Sequence, residues 1–387
     1  MSRPHVGKTL ADEFVETRVL RQLELCHRLG RSACGVVWKA IEKRTRQVIV
    51  LKKCFNVLGR SDDAQRVYRE IMYLQAFSGH DNVIRMHHVI CAGNDQDIYI
   101  TYDFMQTDLH AVIRANVLEA MHMKYVIYQL LKALKFIHSA GVVHRDIKPS
   151  NLLVNADCHV KICDFGLARS LQVGKNAVKN PRLTDYVGTR WYRAIEVLLG
   201  CTHYCCAVDI WAVGCVYAEM LLGQPVFQGT SIIDQIVKIL ELIGRPSVCD
   251  VNSVGSVYAS TLLEMLPPLQ PVSFVEVFPN VSAEALNFLS QCFCYNPEPG
   301  HRCTVIDALR HPFVAEFHDA DDEPALKEEL SLTLDDFELF TTHQYREAIN
   351  DAILKRKVSA RQKENSLMLN PAKIILMEHE QTLPDHF

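Results

Sequence analysis

Asp146, Lys148 and Asn151 fall within the octapeptide His144-Arg145-Asp146-Ile147-Lys148-Pro149-Ser150-Asn151, and their types and spacing suit phosphoryl transfer. That chemistry needs an acceptor for the proton of an incoming hydroxyl, a cation beside the moving phosphoryl group, and an oxygen ligand for magnesium. Asp146 and Lys148 stand two apart, and Asn151 follows five after the carboxylate. Pro149 fixes a backbone angle and stops a helix from running through the segment. A charged surface turn would account for these residues taken alone. Asp164-Phe165-Gly166, thirteen residues beyond Asn151, adds a second carboxylate and makes the pair of motifs specific.

The whole chain has 387 residues, a net charge of −4 and 22% charged residues. This composition describes a globular protein. It gives no reason to expect nucleic-acid binding driven by bulk charge. The longest apolar segment, 207–223, carries Asp209 and Glu219 and is too short to span a bilayer. The N-terminus, Met1-Ser2-Arg3-Pro4, has no apolar core of a secretory signal and no glycine for myristoylation. Fourteen cysteines are scattered without any C-x-x-C pair, so free thiols are expected and zinc is not.

The two motifs resemble the protein-kinase pattern H-R-D-x-x-x-x-N followed by D-F-G. From Leu23 a strand-like alternation leads into Leu29-Gly30-Arg31-Ser32-Ala33-Cys34-Gly35-Val36-Val37. This is similar to the glycine-rich phosphate lid, with Ser32 in place of its middle glycine. Residues 47–54 form an apolar strand in which alternation sends Lys52 and Lys53 to opposite faces. Lys52 matches the kinase lysine and is expected to face the cleft, with Lys53 facing solvent. Val50 stands where alanine roofs the adenine, so a narrower slot is expected. Residues 61–77 read as an amphipathic helix with Val67, Ile71, Leu74 and Phe77 on one face, and Glu70 as the partner of Lys52. A strand over 97–104 leads to the crossing between lobes. There the resemblance implies Tyr102 behind the adenine, Asp103 and Met105 offering backbone groups to it, and Asp108 reaching the ribose. It also places Gly30, Gly35, Val37, Ser150, Leu153 and Cys163 at the nucleotide. A core helix over 121–140 delivers the catalytic loop.

Thr184-Asp185-Tyr186, followed by Thr189-Arg190-Trp191-Tyr192-Arg193, resembles the activation segment of a mitogen-activated protein kinase. The resemblance runs from about residue 23 to 340. The stretch 107–116 is most similar to the atypical seven/eight branch of the extracellular-signal-regulated kinases, although Asp185 stands where that branch usually has glutamate. The family implies phosphorylation of Thr184 and Tyr186, either by an upstream dual-specificity kinase or by the chain itself. Each phosphate needs arginines. Arg145, Arg169 and Arg66 or Arg69 are the expected partners of the first, and Arg190 and Arg193 of the second. A-P-E appears as Ala194-Ile195-Glu196, with Glu196 expected to pair with Arg302. Asp209 is expected to brace the catalytic loop. An acidic cluster, Asp319, Asp322 and Glu323, matches the groove that holds basic docking motifs of substrates and regulators.

The expected fold is therefore α+β and bilobal. A small antiparallel sheet with its helix occupies 1–104, a mainly helical lobe with an insert occupies 105–318, and an extension over 319–387 returns to the small lobe. The implied function is ATP- and Mg2+-dependent phosphorylation of Ser/Thr in proline-directed protein substrates. A monomer in the cytoplasm or nucleus, without nucleic-acid or membrane partners, is expected. Segment 170–182 reads as a mobile loop, and the last 30 residues as partly disordered. Ser32, Val50 and Ile195 depart from strict positions and point to a kinase-shaped scaffold as the alternative. None of the three supplies a charge or a metal ligand.

Overall fold

The computed structural model describes residues 14–32, 34–171, 190–201, 205–256 and 258–368, the last ten of these as backbone only. Thr184, Tyr186 and most of the segment expected as a mobile loop lie outside the described residues.

Five strands form an antiparallel sheet: β1 (Leu23–Arg31), β2 (Gly35–Glu42), β3 (Val48–Cys54), β4 (Met86–Cys91) and β5 (Ile98–Asp103), in the spatial order β1-β2-β3-β5-β4. Alternating apolar residues drive β3. Ile49 and Leu51 are buried on the outer face, while Val50, Lys52 and Cys54 share the face toward the cleft. The β2–β3 register places Val37 opposite Lys52 and Gly35 opposite Cys54. Gly35 is required by close approach, since a Cβ there would lie 1.7 Å from the Lys53 carbonyl oxygen.

The outer face of the sheet is not open to water. Phe14 and the short helix Thr17–Leu20 lie over it, and Val15 and Val19 close a small core with Val36, Trp38, Ile49, Leu51 and Tyr99. This corrects the expectation for Lys53. It is buried, its Nζ donates to the Phe14 carbonyl at 2.8 Å, and it lies 3.3 Å from Asp97 Oδ2. Strand alternation gave the right face, but the covering segment could not be read from it.

The helix Ser61–Ala76 buries Val67, Ile71 and Leu74 against the inner face, and Arg69 and Glu70 go in with them. Below it the helix Ala120–Ser139 runs through the main core and hands the chain to the catalytic loop. The helix Ala207–Leu222 is buried nearly all round, and its N-terminal Asp209 points back at that loop. Residues 232–292 carry the expected insert as helices Ile232–Ile243, Val248–Ser253, Ala259–Glu264 and Phe274–Val277, before the helix Ala283–Cys292. The C-terminal extension packs on the small lobe and ends in the helix Thr342–Met368, which buries Tyr345, Ile349 and Ala352. That helix continues further into the last 30 residues than the sequence pattern led us to expect. Among the described residues no helix is long and apolar enough to cross a membrane.

Glu196 and Arg302 meet in the large lobe as expected. Arg302 Nη1 and Nη2 donate to the two carboxylate oxygens at 2.6 and 2.9 Å, with both side chains buried. The guanidinium also donates to the carbonyls of Cys294, Tyr295 and Ala207 and lies 5.0 Å from the Trp211 ring. Removing one partner leaves the other charge buried and alone. Arg302→Met should therefore cost about 3–5 kcal/mol in urea unfolding, whereas exposed Arg310→Met should leave the midpoint nearly unchanged.

Candidate active site

Asp209 sets the catalytic loop. Its Oδ2 accepts from the His144 backbone N–H at 2.9 Å and its Oδ1 from that of Arg145 at 2.8 Å. Arg145 has φ of +68°, a conformation that a side-chain-bearing residue keeps only when its surroundings hold it there. His144 Nε2 lies 3.2 Å from the Cys163 carbonyl, and the Asp146 N–H donates to His144 Nδ1, so the imidazole carries its hydrogen on Nε2.

Asp146 then receives two partners at one oxygen. Lys148 Nζ is 2.7 Å from Asp146 Oδ2, and Asn151 Nδ2 is 2.9 Å from it. Asn151 Nδ2 also donates to the Asp146 carbonyl at 2.8 Å, so both amide hydrogens are used and the Asn151 Oδ1 is turned away from Asp146. Pro149 opens the 3-10 turn Pro149–Asn151 that allows this reach.

The facing wall comes from the small lobe. Lys52 Nζ donates to both Glu70 oxygens at 2.9 and 3.0 Å, and the Tyr102 hydroxyl donates to Glu70 Oε1 at 2.5 Å. Burial works against the Lys52 charge, but Glu70 prevails and holds it well above the ordinary lysine value. Val50 lies opposite Tyr102 in the sheet.

Asp164 takes φ of +64°, and its Oδ1 accepts the Gly166 N–H at 3.3 Å. The next residue, Phe165, is buried with its ring 5.6 Å from Phe77 and 4.8 Å from His144. Cys163 precedes Asp164, and its N–H donates to the Asn151 carbonyl at 3.0 Å. Burial and then Asp164 push its thiol up, while Lys52 and Lys148 pull it down and Glu70 adds to the rise. The Phe77–Phe165 contact ties the Asp164 turn to the end of the helix that carries Glu70. Asp103 is fixed at the crossing by His87 Nε2 at 2.8 Å and Lys161 Nζ at 3.1 Å. Asp108 caps its helix by accepting from the Ala111 N–H.

The protein kinase domain family matches residues 23–314. Extracellular signal-regulated kinase 2 of Dictyostelium discoideum is 46% identical over 365 residues, covering 94% of this chain and 97% of its own length. The chain belongs to the mitogen-activated protein kinase family. Mitogen-activated protein kinase 15 of Xenopus laevis is also 46% identical, over 91% of this chain but only 60% of its own length. Extracellular signal-regulated kinase 7 of Drosophila melanogaster is 39% identical over 84% of this chain and 36% of its own. The bilobal α+β fold expected from the sequence is the fold of this protein kinase.

Packing within this mitogen-activated protein kinase already engages residues of two regulatory expectations. Arg69 was expected as a phosphate partner, yet its guanidinium is taken by Asp336 of the C-terminal extension. Arg69 Nε lies 2.7 Å from Asp336 Oδ1, and Arg69 Nη2 donates to the Asp336 carbonyl. Asp336 Oδ2 also accepts from the Tyr73 hydroxyl and the Ser170 N–H. The other members of the set remain near: burial, followed by Arg69 and Arg145, pushes Arg169 down to about 9. Arg66 is half-buried on the same helix as Arg69. Arg190 Nη1 donates to the Thr230 carbonyl, and Arg193 follows that 3-10 turn.

The acidic cluster is also less open than expected. Glu323 faces inward, with its two oxygens at Lys135 Nζ (3.1 Å) and His318 Nδ1 (2.7 Å). Asp322 is exposed and pairs with Lys132, while exposed Asp319 accepts from the Asp321 N–H. Of the three expected docking residues, Asp319 and Asp322 are the ones that present charge outward. Nothing in the spacing of these residues revealed Lys132 and Lys135 facing them from another helix.

His138 is the group that sequence reasoning missed. Its Nε2 stands 2.9 Å from Asp209 Oδ2. Burial opposes its charge, but Cys206 and Asp209 prevail and raise it to about 10. The folded state therefore binds this proton more tightly than the unfolded chain. Stability from the charge is complete below the unfolded value of 6.5 and is lost as pH rises toward about 10. The gap in urea midpoint between wild type and His138→Gln should be widest at about pH 6 and shrink steadily to about pH 10.

Proposed function

We propose that this protein kinase transfers the γ-phosphoryl group of ATP to serine or threonine in proline-directed protein substrates. The observation that carries the proposal is the Asp146 carboxylate, tethered by Lys148 and Asn151, across from the Lys52–Glu70 pair. Asp146 orients the substrate hydroxyl and accepts its proton. Lys148 offsets charge on the group in transfer. Lys52, fixed by Glu70 and Tyr102, binds the α/β-phosphates under the lid formed by Gly30, Ser32, Gly35 and Val37. Such catalysis is mostly positioning and electrostatics, so these groups act as a set.

Asn151 and Asp164 offer one amide oxygen and one carboxylate. Among the described residues no group of three or more His, Cys, Asp or Glu side chains forms a metal cage. An all-oxygen set completed by phosphate oxygens suits Mg2+, which favours few protein ligands. When bound, the ion neutralises charge building on the phosphates.

Phosphorylation of Thr184 and Tyr186, by an upstream dual-specificity kinase or by self-phosphorylation, is proposed as the switch. Arg66, Arg145 and Arg169 are the proposed holders of phospho-Thr184, and Arg190 and Arg193 those of phospho-Tyr186. Arg69, whose Nε and Nη2 are engaged by Asp336, is the alternative to Arg66. Asp319 and Asp322 are proposed to draw basic docking motifs, a salt-sensitive attraction. Action as a monomer in the cytoplasm or nucleus belongs to the same proposal. Ser32, Val50 and Ile195 favour the scaffold alternative, and a turnover assay separates the two.

Asp146→Ala should lower radiolabel transfer by about a hundredfold to ten-thousandfold, the span of general-base effects, while nucleotide affinity by calorimetry stays close to wild type. Wild-type turnover no faster than that of Asp146→Ala would count for the scaffold. The Thr184→Ala, Tyr186→Phe double variant should stay at the activity of unmodified protein after treatment that fully phosphorylates wild type. Equal activity of the two treated proteins would defeat the switch.

A further inference from the structure

Two thiols that the phosphoryl-transfer reading leaves unused meet beneath the lid. Cys34 lies in the turn between β1 and β2, and Cys54 ends β3. Their sulfurs are 3.3 Å apart and share a hydrogen bond. Cys34 Sγ is also 3.5 Å from Ser32 Oγ. The backbones are already tied beside them. Gly35 pairs with Cys54 in the sheet, and the Phe55 N–H donates to the Cys34 carbonyl at 2.8 Å. A disulfide needs the sulfurs to close to about 2.05 Å, a movement within reach of side-chain rotation when the strands are in register.

The two cysteines differ in access. Cys34 is half-buried and reachable from solvent, while Cys54 is fully buried. Cys54 stands two residues from Lys52 on the cleft face of β3, so the sulfurs lie at the phosphate end of the cleft. The hydrogen bond with Cys54, with help from Lys52 and Ser32, holds the Cys34 thiol below the ordinary thiol range against burial and Glu70. Cys54 is held above it by the same bond and by burial. An accessible thiolate beside a buried partner thiol is the arrangement of an attacking and a resolving cysteine.

We propose that Cys34 and Cys54 are a reversible oxidation site, at which a hydroperoxide forms a disulfide that fixes the lid to β3. The Cys34 thiolate attacks one oxygen of hydrogen peroxide. An S–O bond forms, the O–O bond breaks, and the departing hydroxide takes a proton to become water. The Cys54 sulfur then attacks the sulfenic sulfur. The S–S bond forms, the S–O bond breaks, and the Cys54 proton leaves with the hydroxide as a second water. Two thiols lose two electrons and one peroxide becomes two waters. A dithiol reverses the bond by exchange. The bridge joins the lid to the strand that carries Lys52, so the lid cannot lift to pass phosphates. This last consequence rests on the proposed ATP site; the disulfide itself does not.

The test uses the full chain, titrated with hydrogen peroxide, alkylated and mapped by mass spectrometry before and after dithiothreitol. A Cys34–Cys54 linked peptide should accumulate at doses that leave exposed Cys26 and Cys249 alkylatable. In Cys54→Ser, Cys34 should stop at the sulfenic acid and be captured by dimedone. Calorimetry with ATP should show about tenfold weaker affinity after linkage, restored by dithiothreitol in wild type, with no such reversible loss in Cys54→Ser. Oxidation of Cys26 or Cys249 ahead of any Cys34–Cys54 linkage overturns the site. Linked wild type that binds ATP as before overturns the fixed lid. Reduced protein that binds no ATP counts against the nucleotide reading alone, and the peptide map of wild type, which needs no variant, still decides the disulfide.

Discussion

The buried carboxylate of Asp209 is the constraint on which the catalytic loop depends. Three groups converge on it: two consecutive backbone N–H groups and the His138 ring. Hydrogen bonds to an ionised acceptor are roughly twice as strong as neutral ones. They also have work to do, because Arg145 is held in a left-handed conformation that its side chain disfavours. Without that twist the chain would leave His144 in a different direction and carry Asp146, with the Lys148 and Asn151 groups on its Oδ2, elsewhere. A single buried charge thus fixes the course of the loop that carries Asp146, Lys148 and Asn151.

The small lobe solves the opposite problem. Lys52 must stay charged while nearly surrounded by protein, with both Glu70 oxygens accepting from it. Tyr102 shares the burden by donating to Glu70 from the neighbouring strand. A lone buried charge would be costly, but a paired and hydrogen-bonded one is tolerated and stays positioned. The pair also ties a strand to a helix, so displacement of the Ser61–Ala76 helix would undo the cleft.

Much of the catalytic arrangement was legible because it is local. The spacing of Asp146, Lys148 and Asn151 works within one turn, and strand alternation alone sends Lys52 toward the cleft. Long-range pairs were legible only where a family resemblance named both partners, as for Glu196 with Arg302. What stayed hidden were contacts between distant segments with no shared pattern. Lys53 was given the correct face, but the segment from Phe14 that covers it left no periodic signal. Arg69 was read as available because nothing in Leu334-Asp335-Asp336-Phe337 announces a partner on a helix of the other lobe. Glu323 was expected in a docking groove, but Lys135, which takes one of its oxygens, comes from a helix far upstream. Alternation and periodicity report which way a residue points, and are silent on what arrives there.

Asp336 carries a consequence for where this protein begins and ends as a folding unit. The family match stops at residue 314 and starts at 23. Yet Asp336 satisfies Arg69, Tyr73 and Ser170 at once, and Tyr345 and Ile349 lie in the main core. At the other end, Val15 and Val19 close the outer face of the sheet. Trimming the chain to residues 23–314 would expose the apolar surfaces that Val15, Val19, Tyr345 and Ile349 cover and leave Arg69 without Asp336. The segments outside the matched domain therefore complete its packing at both ends.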